Sequence, residues 1–133
     1  MSYPHHSSYA ELTSAVLPIA RQASALIMSY YENDITAEAK ADATPVTEAD
    51  RAANQLIVKA LKQLTPTVPV VSEEGDQPGA PGAGRFWLVD PLDGTRSFIA
   101  RDGQFTVNIA LIEHYRPVVG VLMVPAQGTL YWG

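Results

Sequence analysis

Two runs rich in β-branched residues, Thr106–Ile112 and Val118–Val124, are separated only by Glu113–Pro117, and this pairing constrains the fold more than any other feature. Such runs predict strands, and the short connection between them predicts a hairpin. Three further apolar stretches extend the pattern. Phe86–Val89 reads as a buried strand leading straight into Asp90, Val68–Val71 as a short strand ending at Ser72-Glu73-Glu74, and Thr129–Trp132 as the start of another.

Something must cover such a sheet, and two segments have the period to do it. From Tyr9 to Tyr31, apolar residues fall at Leu12, Val16, Ile19, Ala23, Leu26, Ile27 and Tyr30, the spacing of one helix face. Pro18 lies inside that pattern and should kink or restart the helix, because it removes a backbone donor. A second helix is expected from about Thr47, which can cap it, with Glu48 and Asp50 adding negative charge to its first turn. Its apolar positions run from Ala49 to Leu64, and Pro66 and Pro69 bar continuation. Asn33–Thr44 and the Gly/Pro-rich Gly75–Gly84 read as loops, and Thr95–Ala100 as a short helix. The resulting fold class is α+β, with helices packed on a largely antiparallel sheet. A chain of 133 residues suits a single domain.

Composition excludes several functions. There is no cysteine, so disulfides and thiolate metal sites are ruled out. The net charge is −5, with no basic block, which argues against nucleic-acid binding. No apolar run is long enough for a transmembrane segment, and the N-terminus lacks a signal-peptide pattern, so a cytoplasmic protein is expected. An acidic chain that handles a phosphate needs something other than its own surface to neutralise the ligand.

The acidic residues collect at the ends of the expected strands, in Glu73-Glu74, Asp90 and Asp93. In Asp90-Pro91-Leu92-Asp93-Gly94-Thr95, Pro91 restricts one φ angle and Gly94 permits an unusual one. The segment therefore reads as a tight turn in which both carboxylates face one point, with the Leu92 carbonyl between them. That all-oxygen set suits a hard cation such as Mg²⁺. Asp-Gly alone would be a turn signal, and adjacent glutamates alone a solvated turn. The amides of Gly94 and Thr95 at a helix start would seat a phosphate. Asp50 reads either as a helix-end acid or as a partner for the Thr95 hydroxyl.

Asp90–Thr95 preceded by Trp87-Leu88-Val89, with Ser72-Glu73-Glu74 upstream, resembles the signature of the inositol-monophosphatase superfamily. Pro45–Asn54, Leu64–Glu74 and Asp93–Ile112 are similar to its bacterial CysQ-type branch, the 3′(2′),5′-bisphosphate nucleotidases. The resemblance implies the N-terminal half of a layered α/β sandwich, a metal-binding domain spanning 1–133 that stops before a C-terminal substrate domain. It implies Glu73, Asp90, the Leu92 carbonyl and Asp93 as ligands of Mg²⁺, with two or three ions in a complete site. Asp50 and Thr95, with Glu73, match the catalytic residues that activate water, and Gly94 and Thr95 the phosphate contacts. The implied reaction is hydrolysis of adenosine 3′,5′-bisphosphate to AMP and phosphate, in the cytoplasm or at the periphery of the inner membrane, within sulfate assimilation. Inositol monophosphate or fructose 1,6-bisphosphate as substrate, and a catalytically incomplete metal-binding piece, remain alternatives. The unfinished strand at Thr129–Trp132 leaves a sheet edge open to homo-oligomerisation or aggregation.

Overall fold

The structure, a computed structural model, describes residues 8–33, 45–72, 84–94 and 103–133. Glu73 and Glu74, Thr95, the expected short helix and most of the two expected loops lie outside those residues, as do His5 and His6.

The first helix, α1, spans Tyr9–Asn33. Its start is set by a reciprocal pair that the periodicity does not reveal. The Glu11 amide donates to Ser8 Oγ at 3.0 Å, and the Ser8 amide donates to Glu11 Oε1 at 3.1 Å, forming a capping box. Leu12, Val16, Ile19, Ala20, Ala23 and Ile27 form its buried stripe. Pro18 neither ends nor restarts the helix. It lies on the exposed side, as does Ser14, whose carbonyl lacks the donor that Pro18 cannot supply.

Helix α2 spans Pro45–Leu64. It begins two residues before the expected start, which puts Thr47 within the first turn. Proline is suited to that opening position because its missing N–H would have had no helical partner there. Ala49, Ala53, Ile57 and Leu61 are wholly buried at a spacing of four, and α2 packs against α1 and the sheet.

The sheet has five strands in the order β1-β2-β3-β4-β5. They are β1 Val70–Ser72, β2 Arg85–Asp93, β3 Thr106–Glu113, β4 Arg116–Val124 and β5 Thr129–Trp132. β1 runs parallel to β2, and the other neighbours are antiparallel. The β3–β4 hairpin turns on His114 and Tyr115, both at positive φ (49° and 68°), the backbone sign a two-residue turn needs to match strand twist. One face of the sheet is the core: Trp87, Val89, Val107, Ile109, Leu111, Val119, Val121 and Met123 are buried under the helices. Trp87 Nε1 donates to Thr65 Oγ1 at 2.9 Å, so the one polar atom of this buried ring is satisfied by the residue that follows α2.

Two expectations need correction. The first short strand begins at Val70 rather than Val68, because the Val68 amide closes a turn onto the Thr65 carbonyl at 3.0 Å. More consequentially, β2 does not stop at Val89. It continues to Asp93, so Asp90–Asp93 is paired strand, not a free tight turn.

Candidate metal centre

The geometry of Asp90 and Asp93 follows from an irregularity in the β2–β3 ladder. Asp90 pairs with Asn108 and Asp93 with Thr106, and the register skips Pro91 and Leu92. Three steps along β2 thus match two along β3, which is a β-bulge. In a regular strand, residues three apart point to opposite faces. The extra residue reverses that parity. Asn108 and Thr106, two apart on β3, share a face, and Asn108 Nδ2 donates to Thr106 Oγ1 at 3.0 Å across it. Their partners Asp90 and Asp93 are therefore set on that same face. The two carboxylates thus share a face through a bulge, where a tight turn was expected.

Asp90 is half-buried and Asp93 exposed, while Pro91 and Leu92 between them are buried. Those apolar residues anchor the bulge, so its carboxylates are displayed from a fixed backbone. A bulge takes its extra residue out of the ladder, which suits the Leu92 carbonyl to an outside ligand. Gly94 follows at φ 101°, and a Cβ added there would lie 3.1 Å from the Phe105 Cα. Phe105 is completely buried, so the chain leaving Asp93 is pressed onto an immovable neighbour and only glycine fits.

Asp50 approaches from the helical layer. It lies in α2, four residues before Asn54, and the Ser72 hydroxyl at the end of β1 donates to Asn54 Oδ1. Ser72 is in register with Val89, the residue before Asp90. The start of α2 therefore stands at the C-terminal ends of β1 and β2, and Asp50, about one turn (roughly 5–6 Å) before Asn54, is at that same end. Asp90, Leu92, Asp93 and Gly94 thus follow one another at the C-terminal end of β2, while Asp50 lies in the helical layer, one turn before Asn54. Glu73 and Thr95, which follow Ser72 and Gly94 in sequence, lie outside the described residues. Among the described residues, no group of three or more His, Cys, Asp or Glu side chains is placed to hold a metal. The two carboxylates and the carbonyl still fit a hard divalent cation by donor chemistry, since all are oxygen.

The opposite end of β2 is charged differently. Arg85 Nε lies 2.9 Å from Glu113 Oε2, and the Tyr9 hydroxyl donates to Glu113 Oε1 at 2.5 Å. The hydrogen bond to this carboxylate raises the Tyr9 pKa above that of an ordinary tyrosine. This cluster ties the start of α1 to β2 and β3, well away from the carboxylates at the far end.

On the sheet face away from the helices, Leu88, Asp90, Asn108, Ala110, Leu122 and Tyr131 line an open groove of about 350 Å³. Among the described residues of its lining, only Asp90 is charged, so the groove itself offers no cationic contact to an anion. The described helices include none long and apolar enough to cross a membrane, and no comparison supports a place at the membrane periphery.

Sequence reasoning missed the bulge and the Ser72–Asn54 contact. The bulge shows in the burial of β2, where two adjacent buried residues, Pro91 and Leu92, break the alternation; the sequence, apolar from Phe86 to Val89, gives no sign of it.

The pattern of the inositol monophosphatase family matches residues 8–133. The chain is 49% identical over 121 residues to the 3′(2′),5′-bisphosphate nucleotidase CysQ of Escherichia coli K12, covering 87% of this chain and 49% of that protein. It is 40% identical over 124 residues to CysQ of Haemophilus influenzae, covering 91% and 46%. Among solved structures, CysQ from Bacteroides thetaiotaomicron superposes with a TM-score of 0.82 at 43% identity, covering 92% of this chain and 45% of that one. An inositol monophosphatase from Zymomonas mobilis gives 0.80 at 34%, covering 96% and 49%. The chain spans about half the length of these relatives. With its sheet, its bulged carboxylate strand and a match along nearly its whole length, it belongs to the inositol monophosphatase family.

Proposed function

We propose that this chain supplies the cation-binding half of a Mg²⁺-dependent phosphomonoesterase acting on a bisphosphate nucleotide, hydrolysing adenosine 3′,5′-bisphosphate to AMP and phosphate. The observation that carries this reading is the β2 bulge, which sets Asp90 and Asp93 on one face at the strand end approached by Asp50. The CysQ relatives, named as nucleotidases, favour a nucleotide over inositol monophosphate or a sugar bisphosphate.

In this reading Asp90, Asp93, the Leu92 carbonyl and Glu73 hold the cations. Mg²⁺ held by these residues would supply charge neutralisation at the phosphoryl and departing oxygens and a lowered pKa for water. Thr95 orients that water through its hydroxyl, and Asp50 accepts the proton passed along. The Gly94 and Thr95 amides donate to the phosphoryl group and hold it in line with the water. The water oxygen would bond to phosphorus as the phosphorus–sugar oxygen bond breaks, and the departing sugar oxygen would take up a proton from solvent to give the hydroxyl of AMP. The net charge of −5 fits this scheme, because the cations resolve the repulsion between an acidic site and an anionic substrate.

The test is phosphate release from adenosine 3′,5′-bisphosphate with Mg²⁺, with and without a chelator, for the wild type and Asp90→Asn. Chelator-sensitive release abolished by Asp90→Asn supports the reading. Release that ignores both refutes it. A second reading is a module that binds cations without turnover. Cation binding with no phosphate release, even when the chain is joined to a relative's remaining half, would select that module.

A further inference from the structure

β5 closes the strand order of the sheet, and its backbone points two ways. Gly120 and Gly133 exchange both of their hydrogen bonds at 3.0 Å, one register step beyond the Val121–Trp132 pair. In an antiparallel ladder such pairs alternate with pairs that make no bond. Tyr131, two residues from Gly133, is therefore turned toward β4 as well, whereas the N–H and C=O groups of Leu130 and Trp132 are turned away from it. Among the described residues, no other strand pairs with this outer side of β5. The strand carries no charge, proline or bulge of the kind that blunts an exposed edge.

The side chains at this edge suit an added strand. Tyr131 pairs with Leu122 on the face turned away from the helices and lines the open groove there. Leu130 and Trp132 pair with the buried Met123 and Val121, so they share the helix-covered face. There Trp132 borders a second open groove, of about 370 Å³, against Tyr9, Thr13 and Leu17 of α1. A strand laid along β5 would therefore drop alternate side chains into grooves on either side of the edge.

We propose that β5 pairs antiparallel with β5 of a second copy of this chain, about a two-fold axis through Tyr131. The register that pairs the whole strand sets Leu130 opposite Trp132 of the second copy, and the outward-turned groups of each such pair exchange both bonds. One patch serves both copies, as a closed two-fold contact requires, and no charge on β5 opposes its own image. The two Tyr131 rings meet on the outer face, and each Trp132 lies beside the other copy's Leu130. Tyr131 and Trp132 are 57% and 61% exposed. Since a whole aromatic side chain buries about 150–250 Å², the rings of both copies contribute roughly 350–600 Å². Stable interfaces bury about 1,200–2,000 Å² in total, so the ladder and groove walls must supply the rest, and the dimer is a weak, concentration-dependent one.

The test uses the 133-residue chain, whose lack of cysteine lets single substitutions report distance. Under mild oxidation Tyr131→Cys should give a disulfide-linked dimer. A pair without ladder bonds brings its Cα atoms to about 4.5 Å, within the roughly 4.4–6.8 Å that a disulfide spans. Trp132→Cys lies diagonal to its own image, about 7–8 Å away, and should link at least about tenfold more slowly. Sedimentation velocity over a range of concentrations should show a monomer–dimer equilibrium for the wild type. Trp132→Pro removes an outward N–H and leaves the bonds to β4 in place, so it should sediment as a monomer and melt near the wild type. Should that variant unfold, the two cysteine variants still decide. A wild type that stays monomeric at every concentration overturns the proposal. So does equal linking by the two cysteines, or a dimer that survives in a folded Trp132→Pro.

Discussion

Replacing Gly94 with alanine tests the display of the carboxylates by their backbone. Two costs can be separated. At φ 101° an L side chain is strained, and left-handed backbone costs about 1–2 kcal/mol in a non-glycine residue. In addition, the new methyl would lie 3.1 Å from the Phe105 Cα and 3.4 Å from its Cβ. Phe105 is fully buried and cannot step aside, so this contact behaves as overpacking, worth about 1–3 kcal/mol. The sum is about 2–5 kcal/mol, a large share of the 5–15 kcal/mol that typically holds a domain together. Gly128 provides the internal control. It also has positive φ (69°), but a Cβ there meets nothing within 4 Å, so Gly128→Ala bears the strain alone, about 1–2 kcal/mol. Urea unfolding of both variants and the wild type should show unchanged slopes and a larger midpoint loss for Gly94→Ala by at least about 1 kcal/mol. Equal losses, or a smaller loss at Gly94, would refute the claim that Phe105 presses on this backbone.

Three further outcomes are expected. Thr65→Val strands the buried Trp87 indole N–H, whose partner lies at 2.9 Å, and should destabilise the fold by about 1–3 kcal/mol in chemical denaturation; a loss within error of zero would mean that the bond is replaced. In a chain extended by a relative's remaining half, Thr95→Ala should lower kcat by about 10²-fold with Mn²⁺ affinity nearly unchanged, and a kcat within a few-fold of wild type removes Thr95 from water activation. Tyr131 and Trp132 are 57% and 61% exposed on the edge strand β5. The chain should therefore self-associate in light scattering, and Trp132→Lys should reduce this; a monodisperse wild-type monomer contradicts it.

What could be read from the sequence divides along physical lines. Both helices and the β3–β4 hairpin were legible because each is encoded locally, by a period of 3.6 or by β-branched runs flanking a short turn. Pro18 does not restart the helix, because periodicity gives the face of a residue but not whether the helix continues past a missing backbone donor. The parallel partnership of β1 with β2 and the bulge at Pro91–Leu92 were not legible, since both depend on which strand lies alongside. The hexapeptide Asp90–Thr95 reads as a donor set suited to a hard cation, but its Asp90–Asp93 stretch was expected to be a turn where the chain forms a bulged strand. Glu73 and Thr95 rest on the sequence and the resemblance, since both lie outside the described residues. Asn54 went unread because one polar residue in an amphipathic helix looks like a boundary position until Ser72 is seen against it.

The central claim is that the bulge makes Asp90 and Asp93 act together on one divalent cation. Calorimetric titration of Mg²⁺ into the wild type, Asp90→Asn and Asp93→Asn tests it most directly, because each substitution keeps side-chain size and removes one charge. The account predicts saturable binding by the wild type, weakened at least tenfold by either substitution, with the double variant little worse than the weaker single. Unchanged Mg²⁺ affinity in Asp90→Asn, with the fold intact by melting, would contradict it.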